Sequence, residues 1–204
     1  MHSSSSPSSS SSTVQTAPVI VVSGLPRSGT SLMMNMLRAG GVPIVADGLR
    51  EADDDNPKGY FEDERVKQLA KGNVAWVDEA PGHAVKVISA LLEHLPPTQT
   101  YNVLFMQRRL PEVLASQRKM LERRGEPTNT IPDDKMAELF TKHLEKIESW
   151  LAQQPRFSVL YVPYHELAET PERHVDRIIE FLGLPLDRAA MLTAVDPTLY
   201  RNRA

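Results

Sequence analysis

The sequence predicts an α/β fold built on a parallel sheet with helices on both faces. Two observations carry that prediction. Short apolar runs recur along the chain, and segments of helical period separate them. A third is the Gly/Ser-rich turn after the first run, which opens directly into a helix. Val19-Ile20-Val21-Val22 is continuous and apolar, the mark of a strand buried on both faces. The helix after the turn covers about residues 29–39, where Leu32, Met33, Met36 and Leu37 leave few polar positions. A second short strand fits residues 43–46. Residues 47–63 are polar and acidic, carry Pro57 and Gly59, and predict a long loop. AVKVI at 84–88 predicts a third strand and residues 103–106 a fourth. Pro111 suits the first turn of a helix running to about Arg124. Met136, Leu139, Phe140, Leu144, Ile147 and Leu151 share one face of a helix over 133–153, expected to be core-facing, Trp150 included. Residues 158–162 predict a fifth strand, and residues 171–182 a helix stopped by Gly183 and Pro185. The pattern shows no internal repeat and no second domain.

The chain has 204 residues, one domain's worth of material. Residues 1–17 hold nine serines between Ser3 and Ser12 and almost nothing to bury, which predicts a disordered tail ahead of a single domain over 18–204. With 23 Lys+Arg against 26 Asp+Glu, the net charge of -3 gives no electrostatic case for nucleic acid or an anionic membrane. The absence of cysteine excludes disulfide frameworks, thiol catalysis and Cys-ligated metal sites. The apolar run at 19–22 is far short of a signal-peptide core or a membrane span. The expectation is a soluble, cytoplasmic protein, with its oligomeric state left open.

Chemistry concentrates first in Ser23-Gly24-Leu25-Pro26-Arg27-Ser28-Gly29-Thr30-Ser31. Gly24 and Gly29 have the spacing of the phosphate-cradling loop G-x-x-x-x-G-K-[ST], and Ser31 takes the final hydroxyl position. A strand precedes the loop and a helix follows, so backbone N–H groups and a helix N-terminus together make an anion site. Thr30 occupies the lysine position, and the positive charge comes three residues earlier, at Arg27. No other strand ends in the Asp that holds magnesium in metal-using relatives of this loop, which points to an anion handled without a metal. The fourth strand runs into Gln107-Arg108-Arg109, and strand ends at this edge of a parallel sheet face the ligand crevice. Arg108 or Arg109 can therefore reach a bound nucleotide. Ser116 returns toward the same spot from the next helix, and an Arg with a hydroxyl suits a phosphate monoester.

Taken in order, these segments resemble the sulfotransferases that use 3′-phosphoadenosine 5′-phosphosulfate (PAPS). Ser-Gly-Leu-Pro-Arg-Ser-Gly-Thr-Ser resembles their 5′-phosphosulfate loop, and Arg108 through Ser116 their 3′-phosphate motif. Residues 159–185, VLYVPYHELAETPERHVDRIIEFLGLP, are similar to the family's later strand, turn and closing helix, with His165 where an acid is more usual. The resemblance covers about residues 18–186, and Arg27 in place of Lys is closer to the bacterial, carbohydrate and protein-tyrosine branches. It implies a three-layer α/β/α P-loop fold with a five-stranded parallel sheet. It further implies that Arg27, Ser28, Gly29, Thr30 and Ser31 hold the 5′-phosphosulfate. Arg108 and Ser116 would then hold the 3′-phosphate, with Arg109 fitting the spacing less well. Lys86 resembles the lysine at the end of the family's third strand that faces the transferring group. Arg201, in Tyr200-Arg201-Asn202-Arg203, is the one candidate for a C-terminal nucleotide contact.

For the base that takes the acceptor proton, the family uses His or Glu. Ile88 stands where a Lys-x-His pattern needs histidine, and His83 and His94 lie away from that position. A carboxylate after the second strand is the better expectation, from Asp47, Glu51, Asp53 or Glu62. Glu62 is favoured because it closes the shaped turn Asn56-Pro57-Lys58-Gly59-Tyr60-Phe61. The implied activity is sulfonate transfer from PAPS, without metal, to an acceptor hydroxyl or amine, on a small-molecule or glycan-like acceptor, releasing adenosine 3′,5′-bisphosphate. Arg27, Lys86 and Glu62 would carry the transfer. Alternatives are a small-molecule kinase with a degenerate loop and a non-catalytic nucleotide-binding module. Residues 47–63 and 72–81 are the expected walls of the acceptor site.

Overall fold

The structure, a computed structural model, describes residues 17–49, 59–128 and 130–196. Five strands form one sheet: β1 (Val19–Gly24), β2 (Ile44–Val45), β3 (Ala84–Lys86), β4 (Tyr101–Gln107) and β5 (Phe157–Pro163). Their order across the sheet is β2-β3-β1-β4-β5, and every pairing is parallel. The helices are α1 (Thr30–Ala39), α2 (Leu110–Arg124), α3 (Asp133–Leu151), α4 (Tyr164–Glu169), α5 (Pro171–Leu182) and α6 (Arg188–Ala194). After β1 the chain runs to the edge of the sheet at β2 and returns inward to β3, beside β1. It then crosses β1 to build β4 and β5 on the other. The direction reverses at β1, so the carboxyl ends of β1, β3 and β4 frame the crevice where such sheets bind ligands.

β1 is buried along its whole length, as a continuous apolar run requires between two helical layers. Its side chains alternate. Ile20 and Val22 join a core with Met33 and Leu37 of α1, Ile178 of α5 and Met191 of α6. Val19 and Val21 join a second core on the opposite face with Trp76, Phe105, Ile147 and Leu151. A central strand gripped from both sides is a rigid base for the loop that follows it. Each of these buried aliphatic side chains contributes roughly 1.5–3 kcal/mol of transfer free energy.

Several elements differ from expectation. The second strand shrinks to two residues at the sheet edge. The stretch between β2 and β4 carries three 3-10 helices, at Glu64–Lys71, Ala75–Glu79 and Ser89–His94. The middle one buries Trp76 and Val77 in the second core, so residues 72–81, expected as an acceptor wall, also serve as core cover. On α3 only Ile147 and Leu151 are buried, and Leu139 is 53% exposed. Its neighbours are α2 and the Ser89–His94 turn, where His143 Nε2 lies 2.8 Å from Ser89 Oγ and Lys146 donates to Glu93 at 2.8 Å. α4 and α6 were too short for periodicity to reveal. Among the described residues, no helix is long and apolar enough to cross a membrane.

Candidate active site

The loop from Leu25 to Gly29 leaves β1 in a conformation its residues are chosen for. Gly24 has φ +143, and a Cβ there would lie 2.5 Å from Ser28 Oγ and 2.6 Å from the Met106 carbonyl oxygen. Gly29 has φ +101 at the N-cap of α1, and a Cβ there would lie 2.2 Å from Tyr164 Cδ2. Only glycine fits either place. Arg27 adopts φ 69 despite its side chain. Such left-handed backbone is costly for a non-glycine residue and persists only where the surroundings hold it. Here they do. Arg108 Nη1 donates to the Arg27 carbonyl at 3.0 Å, and Arg27 Nε donates to Ser116 Oγ at 3.0 Å. Ser28 Oγ is buried and makes no hydrogen bond among the described residues. A buried hydroxyl left so costs about 1–3 kcal/mol, and an anion cradled by the loop would relieve it. Gly29→Ala, through strained φ and the clash with Tyr164, should destabilise the fold by about 2–5 kcal/mol. A urea midpoint equal to the parent's would contradict this packing.

The second arm grows from the β4–α2 junction. Arg108 and Glu112 are one helical turn apart, and Arg108 Nε donates to Glu112 Oε2 at 3.0 Å. The Glu112 side chain is fully buried and that of Arg108 only 7% exposed. Arg109, 55% exposed, reaches the same carboxylate only at 3.9 Å. The Arg108 guanidinium also lies over the Tyr164 ring, 4.5 Å from its centroid. Tyr164 in turn packs on Gly29. Burial pushes the Tyr164 phenol pKa up, partly offset by the positive charge of Arg108. Arg27, Arg108 and Ser116 thus meet around one loop, tied to α2 and α4.

The third arm comes from β3. Val22 of β1 faces Lys86 in register, which brings the lysine beside the start of α1. Lys86 Nζ donates to the Tyr60 carbonyl and to Glu62 Oε1 at 3.4 Å, and lies 3.5 Å from Ser31 Oγ. Its side chain is 9% exposed, and that of Glu62 27%. Glu62 and Lys86, singled out separately in the sequence, therefore stand together next to the phosphate-type loop. Phe61, between the two residues that Lys86 holds, has φ 51.

Other candidates lie elsewhere. Asp47 accepts from the backbone N–H groups of Leu49 and Glu64, a brace within its own loop. His83 precedes β3 at the amino edge, where its Nδ1 is 3.0 Å from the Pro81 carbonyl. His94 closes the Ser89–His94 turn. Glu51, Asp53 and Arg201 lie outside the described residues. Sequence reasoning missed Glu112, Tyr164 and the Tyr60 carbonyl. The i,i+4 spacing of Arg108 and Glu112 was a usable signal. Nothing local announced Tyr164, because its role is to fill the space that Gly29 leaves. Among the described residues, no group of three or more His, Cys, Asp or Glu side chains could hold a metal ion.

Solved structures share the fold at low identity. A sulfotransferase domain from the curacin biosynthetic pathway has TM-score 0.52 and 16% identity, covering 88% of this chain and 78% of that one. Sulfotransferase STF1 from Mycobacterium tuberculosis has TM-score 0.57 and 17% identity, covering 87% and 71%. Mouse sulfotransferase SULT7A1, complexed with PAP, has TM-score 0.54 and 16% identity, covering 92% and 66%. No curated protein matches the chain. The family described as the sulfotransferase domain matches residues 17–202, and the chain belongs to that family.

Proposed function

We infer that the protein transfers the sulfonate of PAPS to an acceptor hydroxyl. The observation that carries this reading is the meeting of two arms on one residue. Arg27 of the loop is held through its carbonyl by Arg108 and through its side chain by Ser116, each at 3.0 Å. A ligand with two phosphate-type groups, one over the loop and one at α2, would match that pairing. The buried Ser28 hydroxyl and the half-buried Thr30 and Ser31 at the helix start fit a tetrahedral anion.

PAPS supplies the activated sulfonate, whose bond to the 5′-phosphate oxygen breaks as sulfur bonds to the acceptor oxygen. The chain's own residues do three things. Arg27 and the loop N–H groups stabilise charge developing on the bridging oxygen. Lys86, beside Ser31, adds positive charge at the same edge and orients Glu62. Glu62 Oε takes the acceptor proton. Holding donor and acceptor in line on a rigid sheet edge supplies the rest.

Incubation with PAPS labelled in the sulfonate, across a panel of phenols and sugars, should move label to at least one acceptor. One adenosine 3′,5′-bisphosphate should appear per transfer, with EDTA present. Label retained in PAPS throughout, with phosphoryl transfer from magnesium–ATP to the same panel, would replace the reading with a kinase.

A further inference from the structure

A cavity of about 310 Å³ opens beside Glu62, within the usual range for small-ligand sites, about 300–1,000 Å³. Its walls include Ile44, Ala46, Tyr60 and Phe61, with Glu62 at one side and Arg38 at another. Two features set it apart from a casual surface dent. The first is the backbone of Phe61. A bulky residue at φ 51 is rare and costs free energy. Lys86 holds both neighbours, through the Tyr60 carbonyl and Glu62 Oε1, and so fixes the turn. The result is an aromatic ring in the wall of a cavity that also contains the candidate base.

The second is Arg38. Its Nη2 donates to the side-chain oxygen of the buried Asn35 at 2.9 Å, and its guanidinium lies 4.8 Å from the Phe61 ring centroid. Those two contacts fix the plane of the guanidinium. Of its five N–H donors, one is used by Asn35. Among the described residues, no carboxylate pairs with it. A guanidinium pre-oriented on an aromatic ring, with donors remaining, is suited to a planar anion bound through two N–H groups.

We propose that this cavity is the acceptor site, and that it takes an aromatic hydroxyl compound bearing a carboxylate. The aryl body lies on Phe61 and Tyr60, the hydroxyl faces Glu62, and the carboxylate pairs with Arg38. This rests on the sulfotransferase reading above for its chemistry. The acceptor O–H proton passes to Glu62, oxygen bonds to the sulfonate sulfur of PAPS, and adenosine 3′,5′-bisphosphate leaves. Arg38 is the specificity-determining residue, selecting the anion and touching none of the reacting atoms.

The test is binding by titration calorimetry, so it does not depend on turnover. The probes are 4-hydroxybenzoate, 4-hydroxyphenylacetate and 3-(4-hydroxyphenyl)propionate, which move the carboxylate stepwise from the hydroxyl, each beside its uncharged methylamide. Titrations run with and without adenosine 3′,5′-bisphosphate. At least one carboxylate should bind more tightly than its amide by a few-fold, up to about fivefold, the modest ratio expected for an exposed guanidinium. Arg38→Ala should bring the pair level, Arg38→Lys should keep part of the difference, and Phe61→Ala should weaken both members. Amides binding as well as carboxylates, a difference that survives Arg38→Ala, or no binding by any probe would overturn the proposal. Failure of the bisphosphate itself to bind, with the probe pattern intact, would count against the donor assignment and not against this site.

Discussion

Turnover in the Arg27→Ala variant should fall by about 10²–10³ while the folded state is retained, the typical loss when one pre-positioned charge partner is removed from a transfer site. Arg27 is half-buried, fixed by Ser116 at 3.0 Å and anchored at its carbonyl by Arg108. The carbonyl bond survives the substitution, since it belongs to the backbone. The alanine inherits the φ near 69 that Arg27 already bears, so the backbone strain is common to both, and the stability cost beside the rate loss is that of the hydrogen bond to Ser116, about 0.5–1.5 kcal/mol. Turnover and thermal midpoint must therefore be measured on the same preparation. A folded Arg27→Ala protein with parental turnover contradicts the assignment of the loop.

The second large effect is at Glu62. Glu62→Gln keeps the size of the side chain and its oxygen toward Lys86, and removes the proton acceptor. Loss of about 10²–10⁴ in turnover is expected, with adenosine 3′,5′-bisphosphate affinity changed little. Asp47→Asn, by contrast, leaves one oxygen where two accept from Leu49 and Glu64, and so loosens a loop brace. It should lower stability more than the chemical step. If Glu62→Gln turns over like the parent, the base lies elsewhere.

Most of the architecture was legible because it rests on local rules. A short run of β-branched residues followed by a Gly/Ser-rich turn reads as a strand buried on both faces, and β1 is one. Gly24 and Gly29 announced a loop that needs positive φ, and both have it. The gaps have physical reasons too. α3 was expected to bury its whole apolar face, but only Ile147 and Leu151 near its C-terminal end reach the core, and Leu139 is left exposed. The 72–81 segment looked like a polar wall, although Trp76 and Val77 alone suffice to pin it to the core. In the site, Arg27, Arg108 and Ser116 could be named from the loop and the strand end, and Lys86 from the family resemblance. Their mutual arrangement could not, since it spans from residue 27 to residue 116. The Glu112 partnership matters most for experiment. Arg108→Ala would take the 3.0 Å partner from a fully buried carboxylate, and breaking a buried pair typically costs about 3–5 kcal/mol, so it confounds binding with folding. Ser116→Ala is the cleaner probe of the second arm.

The donor assignment is the centre of the account, and it can be tested without knowing the acceptor. The measurement is a calorimetric titration of the unmodified protein with adenosine 3′,5′-bisphosphate and with AMP, each in EDTA and again with magnesium. Charge-assisted hydrogen bonds from the α2 arm contribute roughly 1.5–3 kcal/mol each. The account therefore predicts that the bisphosphate binds tighter than AMP by about two orders of magnitude, with the same affinity in EDTA and in magnesium. Equal affinity for the two nucleotides, or binding that appears only with magnesium, would contradict it.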